Sequence, residues 1–247
     1  MTVTLIIMGG AYSVFNSQQK TTVVQTNVSD AQQSLRTALD FMSRDIRMAG
    51  FDPKVSNNFG ITDIQLKDYD NSSDANGTSA ITFSWDQNEN GTADAGETVN
   101  YSLSNTSTVA PGSIALMYGT PTRQPLTGFI VNFGLAYAID SDGDGELDQS
   151  GGQTLWAIDA GNDNDWDSLT VNQAAGTAVV AETGIPVNEE DIRAVRIWLL
   201  SRSEAADPNY TDSNTYVIGP HVVQPNNNFR HRMAERIVLC RNMGLNL

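Results

Sequence analysis

Apolar and polar positions are distributed unevenly over the first fifty residues. From Met1 to Gln19 the chain carries no charge, and the first charged residue is Lys20. Leu5, Ile6, Ile7, Val14 and Phe15 lie in an apolar run, with Gly9 and Gly10 at its centre. The Met1–Phe15 run is shorter than the roughly 20 residues of a spanning helix. A secretory signal needs a basic stretch ahead and a small-residue cleavage site behind. Nothing basic precedes this run, and Tyr12 and Phe15 stand where the cleavage site belongs. Further on, Ala31, Leu35, Leu39, Met42, Ile46 and then Met48 or Ala49 recur at three- and four-residue steps, the spacing of one helix face. Arg36, Asp40, Arg44, Asp45 and Arg47 take the other positions, with Asp40 and Arg44 at a supportive i,i+4 spacing. Gly50 and Pro53 then mark a stop.

The pattern predicts one helix over residues 1–51, about 70 Å long. That is too long to fold back inside a domain of this size. Residues 1–24 are expected to project, and residues 25–51 to pack through their apolar stripe. Beyond Pro53 the period changes to strands, in "ITDIQLKDY", "AITFSWD", "ETVNYSLS", "SIALMYG", "GFIVNFGLAYAID", "IRAVRIWLLSRS", "TYVIGPHVV" and "RMAERIVLCRN". Polar turns separate them, including "DYDNSSDANGTS", "DQNENGTADAGE" and "DSDGDGELDQSGG". The expected fold is α+β: a long N-terminal helix on an antiparallel β-rich head spanning residues 52–247.

Charge narrows the range of partners. The 247 residues hold 29 acidic side chains against 14 Lys and Arg, for a net charge of −15. No basic stripe is available to offset phosphates, which argues against nucleic acid. A single cysteine, Cys240, excludes an internal disulfide and a CxxC zinc site, and reads as a small buried hydrophobe.

The acids gather in two loops with cation-binding spacing. In "DSDGDGELD", Asp140, Asp142, Asp144, Gly145, Glu146 and Asp148 occupy positions 1, 3, 5, 6, 7 and 9 of a calcium loop. Alternate side chains would converge on the ion, Gly145 makes the sharp turn, and Glu146 offers its carbonyl. The twelfth position is Gly151, so the closing acid would have to come from Asp159, Asp163, Asp165 or Asp167. In "DQNENGTADAGE", Asp86, Asn88, Asn90, Gly91, Thr92, Asp94 and Glu97 fall at positions 1, 3, 5, 6, 7, 9 and 12. Strand-like flanks exclude a helix–loop–helix EF-hand. Each loop reads either as an oxygen-ligand site favouring Ca2+ or as a solvated Asx turn at a hairpin tip.

Catalytic signatures are missing. His221 and His231 have no Ser or Cys at a spacing that suggests a nucleophile, and no GxSxG, HExxH or Walker-type loop occurs. Arg230, Arg232 and Arg236 alternate along the last strand and read either as a subunit contact or as a solvated strand face. Trp85, Trp156 and Trp198 read as core residues rather than a binding platform.

An apolar half-helix, a polar "NSQQ" step and an amphipathic half leading into a β-rich head form a specific arrangement. The stretch "AYSVFNSQQKTT…QQSLRTALDFMSRDIRMAGFDP" resembles the type IV pilus minor pilins called PilW and the related GspJ-class pseudopilins of type II secretion. The late segments "AVRIWLLSRS" and "FRHRMAERIVLCRNMGL" are similar to that family's last strands. The resemblance is strongest over residues 1–55 and 192–245. Members begin with a basic leader, then Gly, Phe and an acid; the resemblance implies that this chain starts roughly nine residues into that helix. It also implies a structural protein, a filament subunit acting in initiation or tip assembly. Its partners would be other pilins and minor pilins, with a tip adhesin beyond them. Its location would be the inner membrane before assembly and the extracellular pilus afterwards. The helix, through Leu5, Ile6, Ile7, Gly9, Gly10, Val14 and Phe15, would bury the same apolar surface in both settings, where charge is costly. A type II secretion pseudopilin is the near alternative. A calcium-dependent adhesive or binding domain on a helical anchor is the alternative from another class.

Overall fold

The computed structural model describes residues 2–64, 66–67, 78–103, 115–119, 124–161 and 163–244. Helix α1 runs from Thr2 to Ile46 and is followed by a turn that ends at Gly50, whose φ of +74° suits a glycine stop. The helix is therefore slightly shorter than the sequence pattern predicts, because residues 47–50 form turns.

Seventeen strands follow among the described residues. β1 (Ile61–Asp63), β2 (Leu66–Lys67), β3 (Thr78–Ser79), β4 (Ile81–Ser84) and β5 (Thr98–Leu103) come first. β6 (Ala115–Tyr118), β7 (Gln124–Gly128), β8 (Ile130–Ile139), β9 (Gln149–Ser150), β10 (Gln153–Thr154) and β11 (Trp156–Ile158) make up the middle. β12 (Asp165–Asn172), β13 (Thr177–Pro186), β14 (Ile192–Arg202), β15 (Tyr216–Ile218), β16 (His221–Val223) and β17 (His231–Leu239) complete the chain. One antiparallel sheet has the order β1-β4-β5-β6-β7 and the larger one the order β13-β12-β11-β8-β14-β17. The segment "TYVIGPHVV", which reads as a single strand, is a hairpin of β15 and β16 reversed at Gly219 and Pro220.

The core follows from strand alternation. Phe133, Leu135 and Tyr137 of β8 and Val195, Ile197 and Leu199 of β14 face one side of the larger sheet. There they meet Leu35, Ala38, Leu39, Met42 and Ile46 of α1 together with Phe83, Tyr101, Leu103 and Leu116 of the smaller sheet. Met42 and Ile46 are fully enclosed, each contributing about 2 kcal/mol by transfer from water. On the opposite face Ala136, Trp198 and Leu200 pack with Ile158, Leu169 and Ile218 beneath the β15–β16 hairpin. The α+β architecture expected from the sequence is the one observed.

One polar position on the helix behaves differently from its pattern. Asp45, placed among the outward residues by spacing, is only 5% exposed. Its Oδ2 accepts from the Tyr101 hydroxyl, a partner on β5 that helical periodicity does not register.

Candidate assembly helix and acidic loops

Full burial on α1 begins at Ala31, while Val24, Asn27 and Val28 are half-buried against the head. The stretch from Met8 to Val23 is exposed throughout, and from Asn16 onward it lines an open groove with Ala205, Asp207 and Pro208 of the head. Met8, Tyr12 and Phe15, at i, i+4 and i+7, put large apolar side chains on one helix face at 69, 71 and 56% exposure. Val14 is also exposed, and ideal Cβ atoms on Gly9 and Gly10 would meet nothing within 4 Å. Leu5, Ile6 and Ile7 belong to the helix, but their side chains lie outside the described residues. The polar middle closes on itself: Thr21, Thr22 and Thr26 donate to the carbonyls of Ser17, Gln18 and Thr22 at 3.0 Å. Among the described residues no helix is long and apolar enough to cross a membrane.

The two acidic loops share a backbone turn but differ in their hydrogen bonds. Positions 4 and 6 have positive φ in both: Glu89 at 59° and Gly91 at 76°, Gly143 at 70° and Gly145 at 85°. In the first loop Asp86 is buried, and its two oxygens accept the Asn90 and Gly91 amides at 3.0 and 2.8 Å. Glu97, 3% exposed, takes the Gln87, Asn88 and Asp94 amides on its two oxygens. The amides of Asn88 and Asn90 both donate to Asp94 Oδ2, at 2.9 and 2.6 Å, and hold its carboxyl below the usual range. Thr92 gives its backbone amide to Asn90.

In the second loop Asp140, Asp142 and Asp144 bring carboxylate oxygens within 4.8 Å of one another. Asp142 and Asp144 each accept one amide, from Asp144 and Glu146, at 3.2 and 2.8 Å. Asp148 Oδ2 receives the Ser141 hydroxyl at 2.5 Å. None of the acids suggested to complete this loop joins that group of three. Asp163 accepts the Asp165 amide, Asp159 accepts the Asp163 amide, and Asp167 accepts the Ala160 amide. Asp165 and Asp167 belong to β12 and, with Asp163, raise the carboxyl pKa of Glu182.

Neighbours within the chain engage all three arginines. Arg236 reaches back to the helix, donating to Asp40 Oδ1 at 2.6 Å and to Ser43 at 3.3 Å. Arg230, just before β17, pairs with Asp207 at 2.8 Å and lies 4.1 Å from the Tyr210 ring centroid. Arg232 donates to the His231 carbonyl. Position 236 thus belongs to the helix-covered side of β17 rather than to a free outer face.

The histidines serve the interior. His231 Nδ1 is 2.9 Å from Asp212 Oδ2, and both side chains are buried. Burial lowers the pKa of His231, and it pushes that of His221 down to about 4. Asp212 also accepts the Tyr216 hydroxyl, so the pair braces β15 against β17. Trp198 is fully buried, with its indole N–H on Glu235. Trp156 and Trp198 flank Arg196, at 5.4 and 4.7 Å from its guanidinium, and Trp85 stacks on Phe83.

Two residues important to this architecture have weak sequence signals. Tyr101 reads as an ordinary strand aromatic, and Gly134 as a gap in an apolar strand. An added Cβ on Gly134 would lie 2.2 Å from the Ile218 carbonyl oxygen, so the glycine allows β15 to rest on β8.

Two family models match the sequence: prepilin peptidase-dependent protein B over residues 25–114, and type IV pilus-assembly protein W (PilW) over residues 99–242. No curated protein matches the chain. Among solved structures, a type IV-like pilin from Thermus thermophilus is similar at 14% identity and a TM-score of 0.45, covering 86% of this chain and 97% of that one. The PilW match takes in more than half of the sequence, including β8, β14 and β17, which lie side by side in the larger sheet with β17 at its edge. The chain belongs to the type IV pilus-assembly protein W family.

Proposed function

We propose that this pilin-like subunit is a minor component of its filament, acting in initiation or at the tip through the projecting half of α1. The observation that carries the reading is the exposed apolar face of Met8, Tyr12 and Phe15 on a helix whose other half is locked into the head. Isolated apolar side chains on a surface need no explanation, whereas a row of them on a projecting rod calls for neighbours. Other pilins' helices are the partners that fit, and the inner membrane is where the same face would wait before assembly. A tip adhesin would be a further partner of the head.

The role is structural: the buried His231–Asp212 pair is used as a brace, and the family match supports a filament subunit. The test is to place Val14→Lys and Phe15→Asp together in the full chain and express it in the source bacterium lacking its own copy. The head should melt unchanged, while pilus number falls severalfold and the variant is missing from sheared pili. Immunogold on wild-type pili should label ends. Normal piliation by the charged variant overturns the reading. Labelling along the whole filament overturns the minor role, as does lost type II secretion with pili intact.

A further inference from the structure

We propose that the Asp140–Asp148 loop is a calcium site, and that the better sequence match at Asp86–Glu97 is not. Asp140 carries the argument. Its carboxylate is 3% exposed, and Arg193 Nε holds only one of its oxygens, Oδ2, at 3.3 Å. Among the described residues Oδ1 has no hydrogen-bond partner and is buried. A buried anionic oxygen without a donor is a costly arrangement unless a cation meets it. Asp142 and Asp144 gather beside it, each with a carboxylate oxygen within 4.8 Å of one from Asp140. Each of them gives one oxygen to a loop amide, which leaves the second for a ligand.

The donor set identifies the ion. The carboxylate oxygens of Asp140, Asp142 and Asp144, and those that loop spacing would add from Asp148 and the Glu146 carbonyl, are all hard oxygens, suited to Ca2+ and unsuited to thiophilic metals. Gly143 and Gly145 supply the positive φ values that turn alternate side chains inward. With Gly at the twelfth position the bidentate acid is missing, so the dissociation constant belongs to the extracellular class, about 10⁻⁴–10⁻³ M. The Asp86 loop differs at its buried carboxylates: both oxygens of Asp86 and of Glu97 accept backbone amides, and Asp94 gives Oδ2 to two asparagines.

The position of the loop suggests what the ion does. The Asp140 amide donates to the Asp191 carbonyl, and Arg193 follows on β14. At its other end β14 reaches Ser201, whose hydroxyl holds the Ala31 carbonyl of the helix. The site therefore pins the end of the central strands remote from the projecting helix, and calcium acts on head stability rather than on the assembly face.

The experiment uses the full chain in detergent, stripped of metal by a chelator. Adding about 5 mM CaCl2, several times the expected dissociation constant, should raise the melting midpoint by a few degrees, with one site by calorimetry. MgCl2 should give a smaller shift. Asp142→Asn with Asp144→Asn, both at exposed positions, should melt like the parent in chelator and bind calcium at least tenfold more weakly. Asp94→Asn should keep the full calcium response. The proposal is overturned by no shift and no heat, by a response that survives the double substitution, or by magnesium matching calcium.

Discussion

The Tyr101 hydroxyl donates to Asp45 Oδ2 at 2.7 Å, joining the last turn of α1 to the middle of β5 between two buried side chains. Burial, and then the hydrogen bond to the carboxylate, push the phenol far above its ordinary range, so it stays a donor at every working pH. Tyr101→Phe leaves the buried Asp45, among the described residues, with Arg44 Nε, 3.3 Å from Oδ1. The expected loss is about 1–3 kcal/mol, read from the denaturant midpoint. Adding Asp45→Leu should recover part of that loss, because the unpaired anion is gone. An unchanged midpoint for the single variant would show that the bond contributes nothing.

Gly134 offers a harsher test. A methyl group there runs into the Ile218 carbonyl, which is backbone and cannot swing aside. Gly134→Ala should cost about 3 kcal/mol through the displaced hairpin. Trp198 lies opposite Gly134 in the β8–β14 register, so the change should appear in tryptophan emission as well as in the melting curve.

Stability should fall on the acid side because of the histidines. The unfolded imidazole titrates near 6.5, whereas burial lowers His221 in the fold to about 4. The folded state therefore binds fewer protons, and its stability is fully present above pH 6.5. It drains away as pH falls through the window down to about 4, by on the order of 2–3 kcal/mol. The lowered pKa of His231 acts with the same sign. Thermal melts at pH 7.5, 6 and 4.5 should show the decline, and His221→Gln should flatten it. A flat profile in the parent removes this account.

Cys240 should be silent in the native protein. Its thiol is 3% exposed and is pushed up to about 12 by burial, despite the nearby Arg193. Little thiolate forms at pH 8, and little of it is accessible. An aromatic disulfide reagent should label it only at the rate of unfolding, and in full once denaturant is added. Immediate labelling without denaturant would contradict this.

The helix and its buried stripe are readable from sequence because a 3.6-residue period over Ala31, Leu35, Leu39, Met42 and Ile46 has no other common explanation. The long apolar strands β8 and β14 are equally plain. Three other strands are not. β7 holds Pro125 and ends at Gly128, which read as turn chemistry. β12 begins inside an acidic run, so Asp165 and Asp167 read as loop ligands. β13 is an edge strand whose Val179 and Val180 are exposed, which blurs alternation. Within the candidate site, spacing cannot distinguish a carboxylate filled by amides from one with a free oxygen. Asp86 and Asp140 occupy the same loop position, and only their surroundings separate them. Position 236 escaped for a similar reason, because its partner Asp40 lies 196 residues away.

Between Ala11 and Ala49 neither glycine nor proline interrupts the chain, so the exposed and buried halves of α1 form one unjointed shaft. A head mounted this way has a fixed bearing. Each residue inserted between Val23 and Ala31 would advance the head by about 1.5 Å and turn it by about 100° around the shaft. The direction in which the head faces its neighbours is thus written as a residue count, and a one-residue indel there would misaim the head while leaving the buried stripe from Ala31 to Ile46 in place.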